Sequence, residues 1–229
     1  MSAAREPAIS VLIPVLDNVG TLEQTLRAVE RQTLRPAEII AVDGGSRDGS
    51  LALLENRPGV SLLRQKGSGL ANARNAAVEA CKGDWLAFCD ADDHWPDDSL
   101  ALRYAATRHD CLAVIGQVLG QAAVESELTA RQASRLGRTR TGYTPGALLI
   151  HRTTLMAVGP FDETLTIGAD SDWFVRLHLS GHALACIPQV VLYKGLRQGS
   201  LSGDVQTYRK ELLSVARRFV AHRKRQAGS

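Results

Sequence analysis

Carboxylates crowd one short stretch of this sequence, Phe88-Cys89-Asp90-Ala91-Asp92-Asp93-His94-Trp95, which follows an apolar run. Side chains alternate along an extended segment, so Asp90 and Asp92 are expected to point the same way. Two like charges held that close are costly unless something positive or hydroxylic is shared between them. A hard divalent ion such as Mg2+ or Mn2+ takes oxygen ligands and needs only one or two carboxylates, and ribose hydroxyls would also satisfy the pair. The plainer alternative is an acidic turn that caps a helix starting near Asp97 or Asp98.

Three other segments carry polar chemistry. In Val42-Asp43-Gly44-Gly45-Ser46-Arg47-Asp48-Gly49-Ser50, Asp48 reads as a helix cap, whereas Asp43 is not needed as one and is placed to accept a hydrogen bond from a nucleotide base. Lys66-Gly67-Ser68-Gly69-Leu70-Ala71-Asn72-Ala73-Arg74-Asn75 has Asn72 where a dinucleotide fingerprint wants a third glycine, so a nicotinamide or flavin site is not supported. Lys66 and Arg74 remain as groups to face a phosphate or base, Arg74 being otherwise a solvated helix residue. In Gly168-Ala169-Asp170-Ser171-Asp172-Trp173, each acid alone reads as a helix cap; beside an acidic metal site, either becomes a general base. The six histidines show no ligand spacing, and neither a Gly-x-Ser-x-Gly elbow nor a P-loop occurs, which excludes zinc, serine-hydrolase and P-loop chemistry.

The elements that must position these residues follow from periodicity. Residues 8–14, 39–42, 60–63 and 85–89 are short apolar runs that read as buried strands, and residues 21–32, 50–56 and 70–81 place apolar side chains at helical spacing. Alternating strands and helices imply a parallel sheet with a ligand crevice at the carboxyl ends of its strands. Further on, residues 99–108, 152–158, 171–180 and 208–225 read as helices, 112–116, 147–151 and 183–191 as strands. Residues 121–142 are polar, with Arg131, Arg135, Arg138 and Arg140, and read as a loop or weak helix.

With 229 residues, 45% hydrophobic and 22% charged, the chain has ordinary globular usage, which excludes disorder and collagen. We expect one continuous domain over 1–229, with halves at 1–116 and 117–203 and a basic helix at 204–229. A net charge of +3 does not call for nucleic acid. No spanning segment or signal peptide is readable, and four scattered cysteines read as buried thiols, so a cytoplasmic location is expected. The basic end, with Arg217, Arg218, Arg223, Lys224 and Arg225, reads first as a solvated helix packed by its apolar stripe, and second as a peripheral contact with anionic lipid at the inner face of the membrane.

The order of the pieces resembles glycosyltransferase family 2, with the GT-A nucleotide-sugar fold. The residues that carry the resemblance are Ser10-Val11-Leu12-Ile13-Pro14-Val15-Leu16-Asp17-Asn18, Gln32-Thr33, the segments at Asp43 and Ala73-Arg74-Asn75, and Asp90-Ala91-Asp92-Asp93. The resemblance implies an α/β, Rossmann-like fold: a mostly parallel sheet flanked by helices, with a C-terminal acceptor-side region. It implies an inverting, metal-dependent transferase moving a sugar from a UDP-, GDP- or dTDP-sugar to a hydroxyl acceptor, with Mn2+ or Mg2+ as cofactor. By the same resemblance Asp43 binds the nucleotide at the base and Asp90 near the ribose, and Pro14, Lys66 and Arg74 are expected beside them at the nucleotide. Asp92 binds the metal, and Asp170 is the general base. Ala169 stands where the family has a glutamate, which makes Asp172 the alternative base. The segment beginning Tyr193-Lys194-Gly195-Leu196-Arg197 has no histidine where the family often carries one, so Lys194 or Arg197 is expected to neutralise the diphosphate, and residues 131–140 to form a mobile loop over the diphosphate or acceptor. The competing expectations are a binding-only relative without turnover and an aspartate-dependent phosphohydrolase, against which His94 counts.

Overall fold

The computed structural model describes residues 6–122, 133–134, 136–196, 207, 209–213, 215–217 and 219. Its first half alternates as the spacing predicts: β1 (Ile9–Val15), α1 (Val19–Glu30), β2 (Glu38–Asp43), α2 (Ser50–Glu55), β3 (Val60–Arg64), α3 (Leu70–Ala80) and β4 (Trp85–Phe88). There follow α4 (Ser99–Ala105), β5 (Ala113–Ala122), β6 (Thr139–Thr141), a 3-10 turn at Pro145–Ala147, β7 (Leu148–His151), α5 (Arg152–Val158), α6 (Ala169–Leu179) and β8 (Ala185–Leu196). The strands form one sheet in the order β3-β2-β1-β4-β7-β5-β6, with β8 paired to β5. From β3 to β4 all pairs are parallel; β7 then runs antiparallel to both β4 and β5.

The continuously apolar strands are covered on both faces. Leu12, Ile40, Val42, Leu86 and Phe88 pack with α3 and α6 through Ala73, Ala77, Trp173 and Leu177. The alternate residues Ile9, Val11, Ile13, Ile39 and Ala41 pack with α1 and α4 through Leu22, Leu26, Val29 and Leu100. Each such leucine or isoleucine, removed from water, contributes about 1.5–3 kcal/mol. Two prolines sit in strands without breaking the ladder. Pro14 lies past Leu12, the last β1 residue paired with β4. Pro188 falls in the register shift between the pairs Ile115–Cys186 and Gln117–Val190, where a missing N–H leaves no ladder bond unmade.

The second half departs from expectation in three places, one of them β8, expected over 183–191 but running from Ala185 to Leu196. The strand expected to stop at residue 116 continues to Ala122, and within the polar segment Thr139–Thr141 forms β6 against it. All three residues of β6 are exposed, so this edge strand is held by backbone pairing and carries no apolar period to reveal it. Of the arginines expected in a loop there, Arg140 lies in β6, Arg138 just precedes it, and Arg131 and Arg135 lie outside the described residues. Cys81 and Cys89 are buried as expected, but Cys186 is exposed. Among the described residues, no helix is long and apolar enough to cross a membrane.

Candidate functional site

The loops after β1, β2 and β4 meet at the carboxyl end of the parallel strands, and each is tied to its neighbour. Asp17, in a left-handed backbone conformation (φ 50°), accepts from the Arg47 amide at 2.8 Å, while its own amide donates to the Ser46 hydroxyl at 3.0 Å. Asp48 accepts from the Val19 and Ser50 amides at 2.8 and 2.9 Å, joining the starts of α1 and α2, although the cap position of α2 itself is Gly49. Asp43 is buried at the end of β2 and accepts from the Gly45 and Ser46 amides. It therefore shapes its own loop, a role that the sequence reading did not give it. Pro14 is buried within β1, and Lys66 is exposed between β3 and α3.

The acidic segment does not run extended. The Asp93 amide donates to the Asp90 carbonyl at 3.0 Å, so the chain turns, and α1 fixes the turn through the Thr21 hydroxyl on the Ala91 carbonyl (2.8 Å) and the Thr25 hydroxyl on the Asp93 carbonyl (2.7 Å). The convergence attributed to alternation is achieved by this turn, and it brings in Asp93 as well. One oxygen from each of Asp90, Asp92 and Asp93 lies within 4.8 Å of the others. Three hard oxygen donors at that spacing fit a divalent ion of the Mg2+ or Mn2+ kind, so the cluster can hold a metal. On the far side, Trp95 donates to the Gly146 carbonyl at 2.9 Å and lies under the Arg103 guanidinium, which anchors the turn to the strand layer.

Two cations, Arg74 buried and Lys194 partly buried, organise these acids. Arg74, 1% exposed, donates from one terminal nitrogen to Asp90 at 2.9 Å and from the other to Asp170; its Nε has no hydrogen-bond partner among the described residues. Lys194, on β8, places its ammonium 2.7 Å from Asp93 and 3.2 Å from Asp90, and the next amide, Gly195, donates to Asp93 at 3.0 Å. Burial alone would raise the pKa of Asp90, but Arg74 and Lys194 hold it well below the usual carboxylate range. Burial pushes Asp93 up to about 7 despite Lys194, with Asp92 and Asp90 adding to the rise. Asp170 is also raised by burial, with Arg74 opposing. Four carboxylates thus face two cations, which leaves the cleft able to take more positive charge.

Asp170 and Asp172 part company. Asp170 opens α6 and faces Arg74, whereas Asp172 is turned to Arg176 at 2.8 Å, one helical turn on. Ala169 packs in the apolar core. Besides Thr21 and Thr25, the sequence did not reveal Glu211, in the C-terminal helical segment, which accepts from the amides of Thr166, Ile167 and Gly168 at 2.9, 2.9 and 2.6 Å. It clasps the loop that leads into Asp170. Asn75 does the same from α3, bonding the Phe161 amide and carbonyl at 2.9 and 3.0 Å. Val215, near Glu211, is buried, in keeping with a tail packed by its apolar stripe, while Leu213 is exposed. Arg197, Arg218, Arg223, Lys224 and Arg225 lie outside the described residues.

Comparison with known proteins gives a consistent picture. The family model for glycosyl transferase family 2 matches residues 10–162. Chondroitin synthase of Escherichia coli is 30% identical over 110 residues, covering 46% of this chain and 16% of that protein. An undecaprenyl-phosphate 4-deoxy-4-formamido-L-arabinose transferase of Pseudomonas fluorescens is 34% identical over 121 residues, 49% of this chain and 35% of that one. The chain thus spans well under half the length of these relatives. Among solved structures, TarS of S. aureus with UDP-GlcNAc aligns over 91% of this chain and 65% of its own, with a TM-score of 0.71 and 16% identity. The mannosyltransferase of Pyrobaculum calidifontis with GDP-Man and Mn2+ aligns over 95% and 65%, with a TM-score of 0.71 and 18% identity.

Proposed function

The chain belongs to glycosyltransferase family 2, and from that premise we propose that it moves a sugar from a nucleoside-diphosphate sugar to a hydroxyl acceptor, with inversion at the anomeric carbon. The observation that carries the reading is the bridge made by Arg74: one buried guanidinium grips Asp90 from the first half of the chain and Asp170 from the second. Donor-side and acceptor-side acids are thereby held in one cleft, as a single displacement requires. The solved relatives with UDP-GlcNAc and with GDP-Man and Mn2+ support a nucleotide-sugar donor.

In this reading Asp43 accepts from the base, at a carboxylate already oriented by Gly45 and Ser46, and Asp90 faces the ribose. Asp92 would hold a divalent ion, Mn2+ or Mg2+, together with Asp93 and the Asp90 oxygen that converges on them, and the ion would supply electrostatic stabilisation of charge on the leaving diphosphate. Lys194 supplies further positive charge from β8, with Arg197 close by in sequence. Asp170 takes the proton of the acceptor hydroxyl; burial raises its affinity for that proton, and Arg74 holds its carboxylate in place. The pairing of Asp172 with Arg176 supports Asp170 as the base in this reading. Membership of this family sets aside the phosphohydrolase alternative.

The test is transfer or hydrolysis of UDP-, GDP- and dTDP-sugars by the purified chain with Mn2+, alone and as Asp170→Asn. Removing the base should lower turnover by about 10²–10⁴-fold while nucleotide binding persists. Full turnover by Asp170→Asn would remove Asp170 from the chemistry.

A further inference from the structure

The cation nearest the acidic turn belongs to the protein itself. The Lys194 ammonium contacts Asp93 and Asp90, two of the three carboxylates whose oxygens converge, and the charge of Asp92 also acts on it. Its backbone keeps it there: the Gly195 amide bonds Asp93, and Tyr193 exchanges two hydrogen bonds with His94 at 3.1 and 2.9 Å. A β-carbon on Gly195 would collide with the Asp92 carbonyl, so β8 can press its lysine into the turn only because residue 195 has no side chain. A divalent ion bound by these acids would share two of its ligands with an ammonium, and like charges at that range repel strongly in a half-buried site.

We propose that Lys194 is a resident counter-cation that competes with the divalent ion for Asp90 and Asp93, so that binding of the ion releases the ammonium from these acids. The inference rests on the metal-site reading above and adds to it a cost built into the site. Lys194 holds the acids together while the donor is absent. Once released, its side chain, a quarter exposed, is free to turn toward the phosphates of an arriving donor. Metal affinity is thereby kept low until the donor diphosphate adds its own ligands and gives the displaced ammonium a new partner.

The test is Mn2+ binding to the full chain without nucleotide, read by calorimetry and by loss of the free-Mn2+ paramagnetic resonance signal. Lys194→Met and Lys194→Gln should bind Mn2+ on the order of tenfold tighter than the unaltered chain. Lys194→Arg, which keeps the charge, should stay weak, and adding Asp92→Asn to Lys194→Met should abolish the gain. A second readout needs no variant: Mg2+ should speed acylation of Lys194 by an amine-directed reagent, followed by mass spectrometry. Equal or weaker Mn2+ binding by the neutral variants, or Lys194 acylation indifferent to Mg2+, would overturn the competition while leaving the metal site intact. Absence of Mn2+ binding in every form would overturn the metal-site reading itself.

Discussion

Replacing Arg74 asks most of the structure, because a single side chain joins the two halves of the cleft. It is 1% exposed, and its terminal nitrogens serve Asp90 and Asp170, which are 16% and 28% exposed. Lysine brings one compact ammonium in place of a planar fork and cannot keep both bonds in this geometry. Losing one hydrogen bond to a charged partner costs about 1.5–3 kcal/mol. Arg74→Met removes the charge too and leaves two half-buried carboxylates with less compensation, a loss of about 3–5 kcal/mol, toward the lower end because Lys194 still faces Asp90. In a chain of this size each kcal/mol moves the melting midpoint by about 2–4 °C, so Arg74→Lys should melt about 3–12 °C below the parent. Equilibrium urea unfolding at pH 7 measures the free energies directly. In the double variant Arg74→Met with Asp170→Asn, part of the loss should return, since the uncompensated acid is gone. Arg74→Lys within about 0.5 kcal/mol of the parent, or strict additivity in the double variant, would refute the bridge.

The other predictions concern the supports of the site. Glu211→Gln should destabilise by about 1.5–3 kcal/mol at pH 7, because a neutral amide accepts three backbone N–H groups poorly; urea unfolding at several pH values checks this. Burial acts to raise Glu211, but those three amides hold it below the ordinary carboxylate pKa. Its contribution is therefore complete above the unfolded value of about 4.3 and is lost as pH falls through the folded one, so parent and variant should converge in acid. Gly195→Ala should push β8 off the acidic turn, lowering stability by about 1–3 kcal/mol. A midpoint unchanged by that substitution would mean that the close approach is not required.

The strands and helices as far as β4 were legible because each is apolar at one clear period and closed by turn residues. Asp90, Asp92, Arg74, Asp170 and Lys194 were legible by residue type, and the structure gathers them into one cleft. The route by which the acids converge was not legible: alternation along an extended chain predicts Asp90 with Asp92, whereas hydroxyls from Thr21 and Thr25, some 70 residues earlier, hold a turn that adds Asp93. The inner edge of the second half was equally hidden. β6 carries no apolar residue, and Glu211 acts through backbone amides more than 40 positions away, a contact without local pattern. Asp172 stood as the alternative to Asp170 in sequence; in the structure Asp170 faces Arg74, whereas Asp172 pairs with Arg176 one turn along α6.

The most direct test of the central claim is calorimetric titration of the purified chain with UDP, GDP, dTDP and CDP, with and without Mn2+, repeated on Asp92→Ala. One nucleoside diphosphate should bind in a manner that requires both Mn2+ and Asp92, which would establish the donor site and name its base. If none of the four binds in either condition, a nucleotide-sugar transferase with its metal at Asp90, Asp92 and Asp93 is contradicted.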